Sequence, residues 1–222
     1  MAPSSSSSNL KPPESRSRTL ERSVWLGLAV VVAAIVGMFW RQTLAGPSLP
    51  VISVVPPFAL TNQFEQTVSR DTLSNQIWIA DIIFTRCPMQ CLKMSNRMRQ
   101  LQTELAGDDT VRLVSLTADP EYDTPAVLKK YGEKFGARPD RWWFLTGPRK
   151  SINELASDGL KMSVQENPAE SRAVPEDLFI HSTYFVLVDR QGRMRAVFDG
   201  DEEEWKSNLQ KAVKKLLREA KK

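Results

Sequence analysis

Cysteine and histidine are scarce in this chain of 222 residues, which has two of the former and one of the latter. A thiol pair here can be joined by one imidazole at most, which suits Cu(I) and leaves zinc short of the fourth ligand it normally takes. Basic residues exceed acidic ones, 30 against 26, but no basic stripe interleaved with aromatic residues runs along the chain. The excess gathers at Lys11, Arg16, Arg18 and Arg22, ahead of an apolar run, and between Lys206 and Lys222 in a terminal helix. No nucleic-acid partner is therefore expected. Internal repeats are absent, and the 41% of apolar residues is enough for one ordinary core.

Residues 1–23 include APSSSSSNLKPPES, have almost nothing to bury, and read as a disordered cytoplasmic N-terminus. Val24 to Trp40 then runs for 17 residues without a charge. As a helix it would span about 26 Å, close to the roughly 30 Å hydrocarbon core of a bilayer. Trp25 and Trp40 lie near its ends, where indole rings favour the membrane interface. Four basic residues precede the run and only Arg41 follows before Arg70, so the positive-inside rule exports what comes after. The run exceeds the apolar part of a signal peptide, although Thr43-Leu44-Ala45 would offer a cleavage site, and it lacks the polar face of a core helix. The expected organisation is a transmembrane anchor over 24–40, a Pro-rich linker over 41–56 and an exported domain over 57–222.

The exported part alternates strand and helix. Ile77 to Phe84 and Val111 to Ala118 are apolar strands, with a helix expected from Pro88 to Leu105 between them. Asp123 or Thr124 followed by Pro125 reads as a cap and first helical position, opening a helix to Phe135. Trp142 to Gly147 is a short strand, and Ser151 caps a short helix after it. Two β-rich runs around Arg190-Gln191-Gly192 form a hairpin, and a last helix from Asp201 to Lys222 carries acids in its first turn. Alternating units imply a mixed, mainly parallel sheet with helices on both faces and a C-terminal hairpin, an element order that is thioredoxin-like.

Within that order, FTRCPMQC places Cys87 at a strand-to-helix junction and Cys91 one turn into the helix, with Pro88 at the first helical position. Side chains four apart on a helix share a face, within reach of one metal ion or of a disulfide. The helix N-terminus favours thiolates, which are both the nucleophilic and the metal-binding form. Redox exchange and soft-metal capture therefore both remain open, beside an inert disulfide formed after export, which would close too small a loop to stabilise much. His181 in DLFIHSTYF is a candidate third ligand. Met94 and Met98 share a helix face expected to pack in the core, whereas Met89 points elsewhere.

The segments WIADIIFTRCPMQCLKMSNRMRQLQ, VRLVSLTADPEYDTPAVLKKYGEKFG, WWFLTG and IHSTYFVLVDRQGRMRAVFDG together resemble the Sco/SenC family of membrane-anchored copper proteins. The resemblance runs in order over residues 55–200. It implies a thioredoxin-like domain that binds one copper ion through Cys87, Cys91 and His181. It also implies delivery of copper, or of reducing power, to the dinuclear copper centre of cytochrome c oxidase. Many relatives have Asp before the histidine where this chain has Ile180, and a turn glycine where it has Glu65.

Asp81, six residues before Cys87, occupies an offset at which thioredoxins place a buried acid that relays protons to the dithiol; a structural, hydrogen-bonded acid is the alternative. The combined expectation is a copper metallochaperone handling Cu(I), with Cu(II) as an alternative state. Its implied partners are a copper-bearing oxidase subunit or another exported copper protein, and a thiol reductant that primes Cys87 and Cys91. A membrane-anchored thiol–disulfide oxidoreductase, with these two residues as its catalytic pair, and a redox or copper sensor are the rivals. The expected location is the bacterial inner membrane with the domain in the periplasm. A mitochondrial inner-membrane address is the weaker alternative, because Glu14 and Glu21 stand among the few residues before the apolar run.

Overall fold

The computed structural model describes residues 16–45, 48–87, 89–172 and 178–219, with the backbone alone at 16–20, 39, 41–45, 169, 180 and 181. Contacts divide the chain into two compact units, one ending at Ser48 and the other beginning at Leu49. The first contains α1, Arg16–Ala45, a helix of 30 residues. Its Glu21–Met38 stretch has a mean hydropathy of 1.7 and no buried share, so by length and composition it can cross a bilayer.

The second unit is built on one eight-stranded sheet. In chain order its strands are β1 Ser53–Val54, β2 Ala59–Asn62, β3 Thr67–Ser69, β4 Ile77–Ile83, β5 Val111–Thr117 and β6 Trp142–Thr146, followed by β9 Tyr184–Val188 and β10 Arg193–Asp199. A separate two-stranded ribbon pairs β7, Val164–Glu166, with β8, Phe179–His181. The helices are α2 Gln90–Glu104, α3 Pro125–Lys134, α4 Arg149–Glu154 and α5 Trp205–Glu219. The large sheet is ordered β1-β10-β9-β4-β5-β6-β2-β3. Every residue of β4 is buried, which is why the sequence there does not alternate and is apolar at every position except Asp81. Beside it, Asp81 is level with Ser115 on β5, and Ile79 with Leu187 on β9.

The sheet is mixed, not mainly parallel. Only β4–β5 and β5–β6, joined through α2 and α3, run parallel. The β1–β10, β10–β9, β9–β4, β6–β2 and β2–β3 pairs are antiparallel. A crossover helix is what makes parallel neighbours, whereas strands reached through tight turns return antiparallel. Two hairpins, β2–β3 and β9–β10, therefore convert both flanks. Residues 52–55 join this sheet: the Ile52 N–H reaches Met194 O and the Val55 N–H reaches Gly192 O, both at 2.9 Å.

Thr124 caps α3 as expected, its hydroxyl accepting from the Val127 N–H with Pro125 in the first turn. Two other helix starts differ from the sequence reading. The chain enters α4 at Pro148 rather than Ser151, with the Ile152 N–H donating to the Pro148 carbonyl, and continues as a single π turn over Leu155–Gly159. Helix α5 begins at Trp205, so Asp201 to Glu204 lie ahead of it. Asp201 is drawn instead to Lys93 and Arg97 on α2, at 2.6 and 3.1 Å. Likewise α2 begins at Gln90, and the expectation for Pro88 lies outside the described residues.

Candidate metal centre

Strand β4 ends at Ile83, and the next four residues turn tightly, the Cys87 N–H donating to the Phe84 carbonyl at 3.2 Å. Cys87 thus precedes α2 rather than sharing a helix face with Cys91, and backbone donors set the geometry of the pair. The Cys91 N–H points at the Cys87 Sγ, 3.3 Å away, and the Phe84 N–H at the Cys91 Sγ, also at 3.3 Å. The positive end of α2 therefore faces Cys87 directly.

The two sulfurs are unequal. Cys87 retains 9% of its surface and Cys91 none, which makes Cys87 the one a partner can reach first. Both are thiols. Burial pushes the Cys91 thiol far above its ordinary range, with the hydrogen bond and charge of Cys87 adding to the effect. A metal binding there must displace a proton.

Asp81 is fully buried on β4. The Ser115 hydroxyl donates to its Oδ1 at 2.5 Å, and Ser115 Oγ in turn accepts from the Trp142 indole N–H at 2.9 Å. The charge of Asp81 adds, as the smallest contribution, to what holds the Cys91 thiol up. Met94 and Met98 are buried in the core as expected, whereas Met89 is 78% exposed between the two cysteines.

The backbone of His181 ends β8, level with Val164 on β7; its side chain lies outside the described residues. Two residues earlier, the Phe179 ring meets Phe84 edge-on with centroids 5.2 Å apart, which fastens β8 beside the turn that carries the thiols. Arg149 lies over the other partner of that contact, 5.6 Å from the Phe179 centroid, and pairs with Glu121 and, at 3.7 Å, with Glu166 on β7. Sequence reading missed Phe84, Phe179 and Arg149 as parts of the site, because nothing in their local pattern announces a contact across the fold. Among the described residues, no group of three or more histidine, cysteine, aspartate or glutamate side chains is arranged to hold a metal.

A dithiol at the start of the helix that follows a central strand, in a mixed sheet with flanking helices, defines a thioredoxin-like protein. A sequence model of the SCO1/SenC family matches residues 48–218, and the chain belongs to that family. It is 36% identical over 155 residues to the SCO1 protein homolog of Bacillus subtilis, covering 69% of this chain and 77% of that protein. The solved structure of BsSco, described as a member of the Sco family of cytochrome c oxidase assembly proteins with a disulfide switch, is 29% identical. It superposes with a TM-score of 0.64 over 77% of this chain and 98% of its own. Yeast Sco1 with copper bound shares the fold at a TM-score of 0.60 and 24% identity, over 73% of this chain and 87% of that one.

Proposed function

We propose that the domain is a copper metallochaperone that carries one copper ion between Cys87, Cys91 and His181, for assembly of the dinuclear copper site of cytochrome c oxidase. The observation that carries this reading is the juxtaposition of two thiols in one turn, each sulfur facing a backbone N–H, with the histidine-bearing strand fastened to Phe84. Two thiolates and an imidazole are a soft donor set that suits Cu(I). The description of BsSco as a cytochrome c oxidase assembly protein supports the destination.

Copper is cargo here. Loading deprotonates both thiols and holds the ion at Cys87 and Cys91, with His181 completing the set. Unloading proceeds from the outside: an incoming thiolate of the acceptor displaces the more exposed Cys87 first and the buried Cys91 last. Oxidation of the pair to a disulfide removes both donors, so two equivalents of a thiol reductant, themselves oxidised to a disulfide, must restore it. Asp81 passes the Cys91 proton outward during loading, and Asp81→Asn should slow copper uptake. Helix α1 serves as the membrane anchor, holding the domain on the periplasmic side of a bacterial inner membrane.

The same pair could instead reduce partner disulfides or sense redox state, and the disulfide switch described for BsSco favours that second reading. One experiment separates the two. The full chain in detergent is reduced and titrated with Cu(I) against a competing chelator, beside a variant carrying Cys87→Ser and Cys91→Ser. A carrier binds one Cu(I) far more tightly than the double variant. Equal binding, together with rapid reduction of a disulfide substrate by the wild type alone, would replace the carrier with an oxidoreductase.

A further inference from the structure

We infer that Asp123 is a positioning residue of the metal centre, fixing through Thr85 the turn that sets the two cysteine sulfurs in register; the inference rests on the copper-carrier reading. Asp123 is fully buried in the loop after β5. Its Oδ1 accepts from the Thr85 hydroxyl at 2.5 Å, and its Oδ2 from the Thr85 N–H at 3.1 Å and from the Thr117 hydroxyl at 2.5 Å. The loop makes a second connection to the same turn, because Arg86 pairs with Asp119 at 2.5 Å and lies 4.3 Å from the centroid of the Tyr122 ring.

Thr85 occupies the centre of the turn. On one side of it, the Phe84 N–H meets the Cys91 Sγ and the Phe84 carbonyl receives the Cys87 N–H. A shift of Thr85 therefore moves both sulfur contacts together. The carboxylate of Asp123 is not occupied in starting α3, since that cap is the Thr124 side chain. It is directed across the fold, to a residue 38 positions earlier in the chain. Burial holds its carboxyl above the ordinary aspartate value even though Thr117 and Thr85 donate to it. An acid kept in that condition is a poor choice for stability alone, and a good one where a fixed, multidentate acceptor must hold a turn.

The test uses the full chain in detergent with three readouts: apo melting temperature, Cu(I) affinity by chelator competition, and the glutathione equilibrium of the Cys87–Cys91 disulfide. In the last, two glutathione molecules reduce the disulfide to the dithiol and leave as one oxidised glutathione. Asp123→Ala and Thr85→Val should each weaken Cu(I) binding by about 10–100-fold, as loss of a residue that orients a metal ligand does. The same two variants should move the glutathione equilibrium toward the dithiol. Asp123→Asn, which keeps an acceptor in place, should recover most of both. Gln102→Ala breaks half-buried hydrogen bonds elsewhere, to Gly136 and Arg138, and should lower the melting temperature while leaving both sulfur readouts unchanged. Lower melting temperatures for Asp123→Ala and Thr85→Val, with both sulfur readouts at wild-type values, would overturn the inference. Thr85→Val removes one hydroxyl and carries the test if Asp123→Ala does not fold. If wild type takes up no copper, the carrier reading has failed, and the glutathione equilibrium alone decides whether Asp123 positions the pair.

Discussion

The ring of Phe179 meets the ring of Phe84 edge-on, with centroids 5.2 Å apart and planes at 71°. Phe84 also donates its N–H to the Cys91 Sγ, so one residue touches both the dithiol and the strand that ends in His181. Phe179→Ala should therefore loosen the histidine arm while the thiol pair stays in place. The expected result is a stability loss of about 3 kcal/mol, measured by urea unfolding of the apo protein. Cu(I) affinity should fall far less than Cu(II) affinity. Equal losses for the two oxidation states would mean that β8 does not serve the site as a separate arm.

The βαβαβ core was legible because its signals are local. Strand β4 is buried throughout and apolar at every position except Asp81, and Thr124-Pro125 marks the start of α3 with a cap and a proline. Of the antiparallel flanks, the β9–β10 hairpin was legible, but β1 and β3 were not, since they have only two and three residues and sit in polar or proline-rich sequence. The turn holding Glu65 shows how such a segment is built. Glu65 adopts φ 62°, a conformation glycine would favour, while the Asn62 side chain accepts from the Phe64 and Gln66 N–H groups at 2.9 and 3.0 Å. At the site, the thiol pair could be read from spacing alone, but its geometry belongs to a turn, and Asp123 reaches Thr85 only once β4 and β5 lie side by side.

Copper binding should be strongly pH dependent. Burial, with Cys87 adding to it, keeps Cys91 protonated in the apo protein well above neutrality, and the metal binds the thiolate. Apparent Cu(I) affinity should rise with pH between 6 and 8, by about tenfold per unit for each proton released. A chelator with known proton linkage provides the measurement. A flat profile would mean that Cys91 is not a ligand.

Acid stability should depend on Asp189. Burial opposes its ionisation, but hydrogen bonds from Arg193 and Arg195 outweigh that and hold its carboxyl below the ordinary aspartate value. Arg195 is itself buried and pairs with Asp189 at 2.7 Å. A depressed folded value contributes stability that is complete above the unfolded value of about 3.9 and is lost as pH falls through the folded one. Asp189→Asn should cost about 3 kcal/mol at pH 7 and flatten the decline in melting temperature below about pH 4.

His181→Ala should leave much of the Cu(I) binding intact, because two thiolates can hold that ion. Cu(II) favours nitrogen donors and higher coordination, so the variant should lose any thiolate-to-Cu(II) charge-transfer absorption shown by the wild type. An unchanged spectrum with a lower apo melting temperature would make His181 a packing residue.

X-ray absorption at the copper edge of the Cu(I)-loaded full chain counts the donors directly. Two sulfur neighbours and one nitrogen are predicted for the wild type, with the sulfur count falling to one in Cys87→Ser. A first shell with fewer than two sulfurs in the wild type, or one unchanged by Cys87→Ser, would contradict copper carriage by this thiol pair.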